Sequence, residues 1–137
     1  MCEKNKVSAF PLGGVNPAAQ YFIGESFYAP LTTASAQVDI ANVTFEPGCR
    51  NNWHVHHGAQ QILVCVGGEG WYQEWGKPAI KMKPGDVIEI PLDVKHWHGA
   101  TKDSWFAHLS VITKLKEGSH EWLEEVSDEQ YDLLETN

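Results

Sequence analysis

Between Ala36 and Thr113 the apolar positions alternate with polar ones or gather in short runs, and none of these runs has helical spacing. Val38, Ile40, Asn42 and Thr44 set against Val43 and Phe45 read as a strand. Glu46-Pro47-Gly48 then turns the chain. The stretch Ile62 to Val66 is a nearly continuous apolar run, suited to a strand buried on both faces. Gly67-Gly68 interrupts it, and Gly70 to Trp75 resumes as an aromatic strand. Ile80 to Met82 is another short strand. Lys83-Pro84-Gly85-Asp86 is a strong turn signal, followed by the strand Val87 to Ile90, which Pro91 ends. Trp105 to Thr113 forms the last long strand. Short strands divided by Gly and Pro turns, with no helix between them, predict an all-β sandwich or barrel of the jelly-roll kind.

The two ends differ from this middle. Residues 1–35 are rich in turn formers and aromatics, among them Pro11, Gly13, Gly14, Pro17, Tyr21, Phe22, Phe27 and Tyr28. They predict an irregular arm with room for one strand, lying over the barrel or over a neighbouring subunit. At the other end, Ser127-Asp128-Glu129-Gln130 is a capping-box sequence, with Ser127 as N-cap. Tyr131, Leu133 and Leu134 give the short closing helix an apolar side. The expected organisation is a single domain: an arm over 1–35, a barrel over 36–113, and a tail with a helix over 114–137.

Composition narrows the partners. The 137 residues amount to about one domain and can bury a real core. A net charge of −8 and a pI near 5.2 disfavour nucleic acid and anionic membrane surfaces. No apolar run approaches a membrane span, and the polar, mixed-charge start does not resemble a signal peptide, so a cytoplasmic protein is expected. Cys2, Cys49 and Cys65 are odd in number and lack zinc-binding spacing. Cys65, inside an apolar run, is expected to fill the core; Cys49 stands near the candidate site without an assigned role.

His54 and His56 are separated by one residue, so on a strand both imidazoles face the same side. Gln60 shares their parity, and His96 follows the Pro91 turn on a different strand pair. Three imidazole nitrogens and an amide oxygen form an intermediate ligand set suited to manganese, iron, cobalt, nickel or zinc. An isolated His-x-His is weak, but here it sits in an ordered string: Gly48, His54, His56, Gln60, Gly67. A second string runs Gly85, Pro91, His96.

These strings resemble the two motifs of the cupin superfamily. Gln60 stands where that family usually has Glu, Asp93 where it has a second Gly, and Ala100 where it has Asn. The resemblance implies a six-to-eight-stranded barrel with His54, His56, Gln60 and His96 as ligands to one divalent transition metal. An amide in place of a carboxylate leaves the site at the full charge of the ion, a stronger Lewis acid held less firmly. The segments VTFEPGCRNNWHVH, QQILVCVGGEGWYQEWG, KPGDVIEIPLDVKHWHGA, HLSVITK and EWLEEVSDEQY resemble, more narrowly, the bacterial cupin-type hydroxynitrile lyases, the (R)-mandelonitrile lyase-like subgroup. That likeness implies reversible cleavage of an α-cyanohydrin with manganese or iron, three His and one Gln as ligands, and His108 as the base.

Such a reaction is chemically coherent, since an imidazole with a pKa near neutrality can take the hydroxyl proton while a metal favours the alkoxide. His98, two residues past His96, is a second candidate pocket residue. His108 and His98 equally suit buried, hydrogen-bonded structural roles. Trp53, Trp71, Trp97 and Trp105 could wall the cavity, though each also suits ordinary core packing. His57 has outward parity, His120 is expected at the surface, and Lys95 is expected to face solvent. The expected partners are a small-molecule substrate and a second copy of the chain, with Tyr21 to Leu31 adding to a neighbour's sheet. The alternatives are another cupin enzyme of aromatic or carbonyl catabolism (oxygenase, isomerase or decarboxylase-associated) and a non-catalytic metal-dependent binding module.

Overall fold

The computed structural model describes residues 3–113 and 119–135; Cys2 and the first part of the expected tail lie outside them. Among the described residues thirteen strands and one α-helix follow in chain order, besides two single-turn 3-10 helices in the arm: β1 (Gly14–Val15), β2 (Phe22–Ile23), β3 (Ser26–Pro30), β4 (Val38–Phe45), β5 (Arg50–Asn51), β6 (His54–His57), β7 (Gln61–Gly68), β8 (Gly70–Glu74), β9 (Ile80–Met82), β10 (Val87–Ile90), β11 (His96–Ala100), β12 (Phe106–Thr113), β13 (Ser119–Trp122) and α1 (Asp128–Glu135). One sheet has the order β1-β3-β4-β12-β7-β10. The other runs β13-β6-β11-β5-β2, with β8 joined to β11 and β9 to β8. Every pairing between these strands is antiparallel. The mostly-β architecture with one C-terminal helix is the all-β sandwich that the alternating pattern foretold, and it accords with the cupin fold that the resemblance implies.

The arm is more regular than its turn-rich composition suggests. Ser26 to Pro30 pairs along β4, and β1 pairs in turn with β3. Without them β4 would be a long bare edge of unpaired N–H and C=O groups. The segment expected to reach a neighbour's sheet is thus built into its own.

Parity divides the barrel interior into a dry end and a polar end. On β7 buried and half-buried residues alternate, with Gln61, Leu63 and Cys65 turned inward. Leu63 and Cys65 join Val43, Phe45, Tyr72, Met82, Ile90, Ala100 and Phe106 in one apolar cluster. Cys65 fills the core as expected, and Cys49 lies buried in the same cluster. Burial pushes both thiols up, that of Cys65 to about 11, which suits packing and not nucleophilic use. Gly70 is required here: a Cβ on it would lie 2.6 Å from the Phe106 ring.

A second apolar cluster joins Trp53, Trp71 and Trp97 to Val126 and Tyr131 beneath α1. The capping box forms as read: Gln130 N–H donates to Ser127 Oγ (3.1 Å), and Ser127 N–H to Gln130 Oε1 (3.2 Å). Arg50 ties this tail to the barrel. Its guanidinium donates to the Val126 carbonyl (2.9 and 3.1 Å) and to Asp128 (2.6 Å), and it lies 4.4 Å from the Tyr131 ring centroid.

Candidate metal centre and its cavity

At the polar end, β6 turns His54 and His56 inward, and β11 brings His96 directly opposite His54. The ring centroids lie 4.2 Å (His54–His96), 5.3 Å (His54–His56) and 5.4 Å (His56–His96) apart. One ligand nitrogen from each of these three buried rings lies within 4.8 Å of the other two. Two rings are set by backbone carbonyls: Nδ1 of His54 lies 2.7 Å from Asn52 O, and Nδ1 of His96 lies 2.9 Å from Val94 O. A proton on Nδ1 leaves the Nε2 lone pair free, the arrangement found around metal-ligating imidazoles.

Burial is the first cause holding all three rings neutral. It lowers His56 to about 3, with His120 and His96 adding repulsion; it lowers His96 to about 4 and His54 well below its ordinary value. Neutral rings present lone pairs without a proton to displace.

The side chain that enters the cavity from β7 is that of Gln61, one residue beyond the Gln60 expected from the spacing. Gln60 precedes the strand, is half-buried, and uses its backbone N–H on Thr113 Oγ1 (3.0 Å). Gln61 is buried and lines the cavity, and its Nε2 donates to Ser110 Oγ (2.7 Å). The physical reason is register: β7 pairs β12 with Gln61 opposite Ile112, which puts Gln61 on the inner face. His56 Nε2, His96 Nε2 and Gln61 Oε1 are buried and make no hydrogen bond of good geometry, although the Gln61 side chain lies close enough to the His56 ring to oppose the fall of its pKa. Such atoms are costly unless something else satisfies them. Three imidazoles and one amide oxygen, all neutral, fit a divalent first-row ion.

Beside this cluster lies a cavity of about 230 Å³. His98 and His108 both line it, with His108 Nε2 3.2 Å from His98 Nδ1. Asn51 Oδ1 accepts the His98 backbone N–H (2.9 Å), and its Nδ2 stands 3.2 and 3.3 Å from the two ring nitrogens of His98. Burial lowers His108 to about 4 and His98 well below its ordinary value. His108 Nδ1 is a further buried atom without a partner.

The aromatic wall comes from other residues than expected. Phe22, Tyr28 and Trp122 line the cavity, with Trp122 stacked on Tyr21 at 4.5 Å. Trp53, Trp71 and Trp97 belong to the cluster under α1, and Trp105 packs near Phe27. The first three are drawn there because α1 needs an apolar floor. His120 is exposed, as expected, yet it also lines the cavity and stands 4.2 Å from the His56 ring. Both wall residues of β13, His120 and Trp122, pair across from His56 and His54. Their one-residue spacing was the available signal.

His57 faces outward as its parity requires, gripped by Asp93 (2.7 Å) and Glu121 (2.9 Å), which raise its pKa. Asp93, standing where the cupin motif has Gly, has φ 62°, the left-handed region that favours glycine. Lys95 does not simply project into solvent: its Nζ pairs with Glu124 (2.8 Å) and sits 3.5 Å from the Trp75 ring centroid.

Comparison with known proteins agrees with this geometry. A family model described as a cupin domain matches residues 41–112. The chain is 40% identical over 115 residues to a protein named (R)-mandelonitrile lyase from Granulicella tundricola, covering 82% of this chain and 87% of that one. Among solved structures, a cupin-like protein from Thermotoga maritima superposes with a TM-score of 0.84 at 39% identity, over 91% of this chain and 95% of the other. The DMSP lyase DddQ from Ruegeria pomeroyi has a TM-score of 0.63 at 17% identity, covering 93% of this chain and 62% of that one, a likeness of fold alone.

Proposed function

The chain belongs to the cupin family, and from that premise we propose that it is a metal-dependent lyase acting on a small carbonyl-derived substrate, an α-cyanohydrin being the sharpest version. Fold does not choose the reaction; the site must. The observation that carries the reading is the meeting of three buried, neutral imidazoles, two of which line one small cavity together with a free amide oxygen and the paired imidazoles of His98 and His108. The first group suits a metal, manganese or iron by family likeness, with zinc, nickel or cobalt also accommodated by the donor set.

His54, His56, His96 and Gln61 would hold the ion, which supplies Lewis-acid polarisation of a substrate oxygen when bound. His108, lowered by burial to about 4 and so a weaker base than the near-neutral imidazole expected, is unprotonated at neutral pH and takes the substrate hydroxyl proton as the carbonyl forms, the C–CN bond breaks and cyanide departs. His98 orients His108, and Asn51 fixes His98. Phe22, Tyr28 and Trp122 present an apolar wall to the rest of the substrate.

The test is metal analysis of the purified protein together with mandelonitrile cleavage before and after loading with Mn(II) or Fe(II). Metal-dependent benzaldehyde release supports the lyase. A stoichiometric ion without cleavage keeps the metal centre and removes this reaction, leaving other cupin chemistry on small carbonyl compounds or a binding module. A homodimer or higher homo-oligomer and a cytoplasmic setting belong to the same proposal; a monomeric mass by light scattering removes the former.

A further inference from the structure

We propose that Ser110 is a positioning residue for the metal centre: it holds the nitrogen end of the Gln61 amide so that the oxygen end is free for the ion. The inference rests on the reading of His54, His56, His96 and Gln61 as a metal site, and deepens it.

The two ends of a primary amide are nearly equal in size, and the torsion that exchanges them is soft. Chemically the ends are opposites. The oxygen offers a lone pair, while the nitrogen offers two protons that a cation repels. A glutamine can serve as a ligand only if its N–H groups have somewhere else to go. In water any solvent molecule would accept them. Gln61 is 6% exposed and Ser110 is 7% exposed, so bulk solvent hardly reaches the amide, and its acceptor must come from the protein or from water confined to the cavity.

The sheet provides the acceptor. Ser110 lies two residues beyond His108 on β12, with its side chain on the same inward face, and lines the same cavity. Its Oγ receives the Gln61 Nε2–H at 2.7 Å. With the nitrogen satisfied in this way, Gln61 Oε1 is left buried and unpartnered, as are His56 Nε2 and His96 Nε2.

Without the Ser110 hydroxyl, turning the oxygen toward an ion would leave the amide nitrogen as a buried donor with nothing to bond. In the metal-free protein the same amide could instead donate to a vacant imidazole lone pair. Both effects weaken binding of the ion relative to the empty site. Outer partners of metal ligands typically contribute about tenfold to a hundredfold in affinity.

The experiment measures the affinity of the full-length protein for Mn(II), and for Zn(II) as a second probe, by competition with a chromogenic chelator. Wild type, Ser110→Ala, and the isosteric pair Ser110→Thr and Ser110→Val are compared. The expected result is a loss of roughly tenfold to a hundredfold in Ser110→Ala and Ser110→Val, with Ser110→Thr close to wild type. The decisive comparison places Ser110→Ala in a Gln61→Glu background. A carboxylate has no N–H to satisfy, so the loss should largely disappear. Equal affinity of wild type and Ser110→Ala, or the same loss in both backgrounds, overturns the proposal and leaves the metal centre standing. A wild-type protein that binds neither ion overturns both.

Discussion

His108 and His98 meet inside the barrel, Nε2 of the first 3.2 Å from Nδ1 of the second, on strands from opposite sheets. An N–H···N contact holds one proton between two rings, so neither imidazole is independent of the other. Replacing His108 by Ala should leave metal content unchanged and lower turnover of a cyanohydrin by about 10²- to 10⁴-fold, the usual size of a general-base contribution. Inductively coupled plasma analysis beside a benzaldehyde assay separates the two effects. Lost metal with lost turnover would instead mark His108 as part of the metal site.

His108 also makes stability depend on pH. Burial lowers its pKa from 6.5 to about 4 in the folded chain. Unfolding restores the ordinary value, so between those limits the unfolded chain holds more protons. Stability is therefore full above pH 6.5 and is lost as pH falls toward 4, by about 3 kcal/mol from this ring alone. Urea unfolding of the metal-free protein at pH 7 and 4.5 should show the decline. In His108→Gln the slope should be shallower, whatever the absolute stability, and an unchanged slope would contradict the assignment.

The two adjacent glutamines are separable by metal retention. Gln61→Ala should weaken Mn(II) binding by at least about tenfold, as loss of a ligand-shell contact does. Gln60→Ala should not, because the Gln60 contact described above uses the backbone N–H, which the substitution keeps. Equilibrium dialysis of both variants decides it, and the reverse order of effects would return the ligand role to Gln60.

Arg50 should matter far more to stability than its ion-pair partner. Its side chain is 5% exposed and bonds the Val126 carbonyl, whereas Asp128 is 87% exposed. Arg50→Met leaves that carbonyl unpaired and should cost about 2–3 kcal/mol. Asp128→Ala should cost under about 1 kcal/mol, as exposed pairs do. Denaturant midpoints of the two variants test the ranking, and equal losses would assign the clamp to the ion pair.

Much of this was legible from local pattern. The period-two parity of His54 and His56, the turn at Lys83 to Asp86 and the Ser127–Gln130 capping box are properties of neighbouring residues, and each reappears in the fold. What escaped depends on register between distant strands. Gln60 with Gly67 and Gln61 with Gly68 have the same internal spacing, and only the parity shared with His54 and His56 pointed to Gln60, a parity that does not carry across the turn into β7. Pairing of β7 with β12 turns the Gln61 side chain into the cavity, and a slip of one residue would turn in Gln60 instead. Likewise Trp122 and His120 become cavity residues only because β13 pairs with β6, some sixty residues earlier in the chain. The tryptophans that were expected in the wall are equally aromatic; the contacts of α1 claim Trp53, Trp71 and Trp97, and Trp105 packs near Phe27.

That last pairing sets the timing of maturation. During synthesis His54, His56 and His96 emerge well before β13, and the Val126 carbonyl that Arg50 grips emerges later still. A nascent chain would expose its ligands for some time before the strand that walls them exists. The cavity in its finished geometry therefore waits on a strand made later than the residues it covers, β13 against β6.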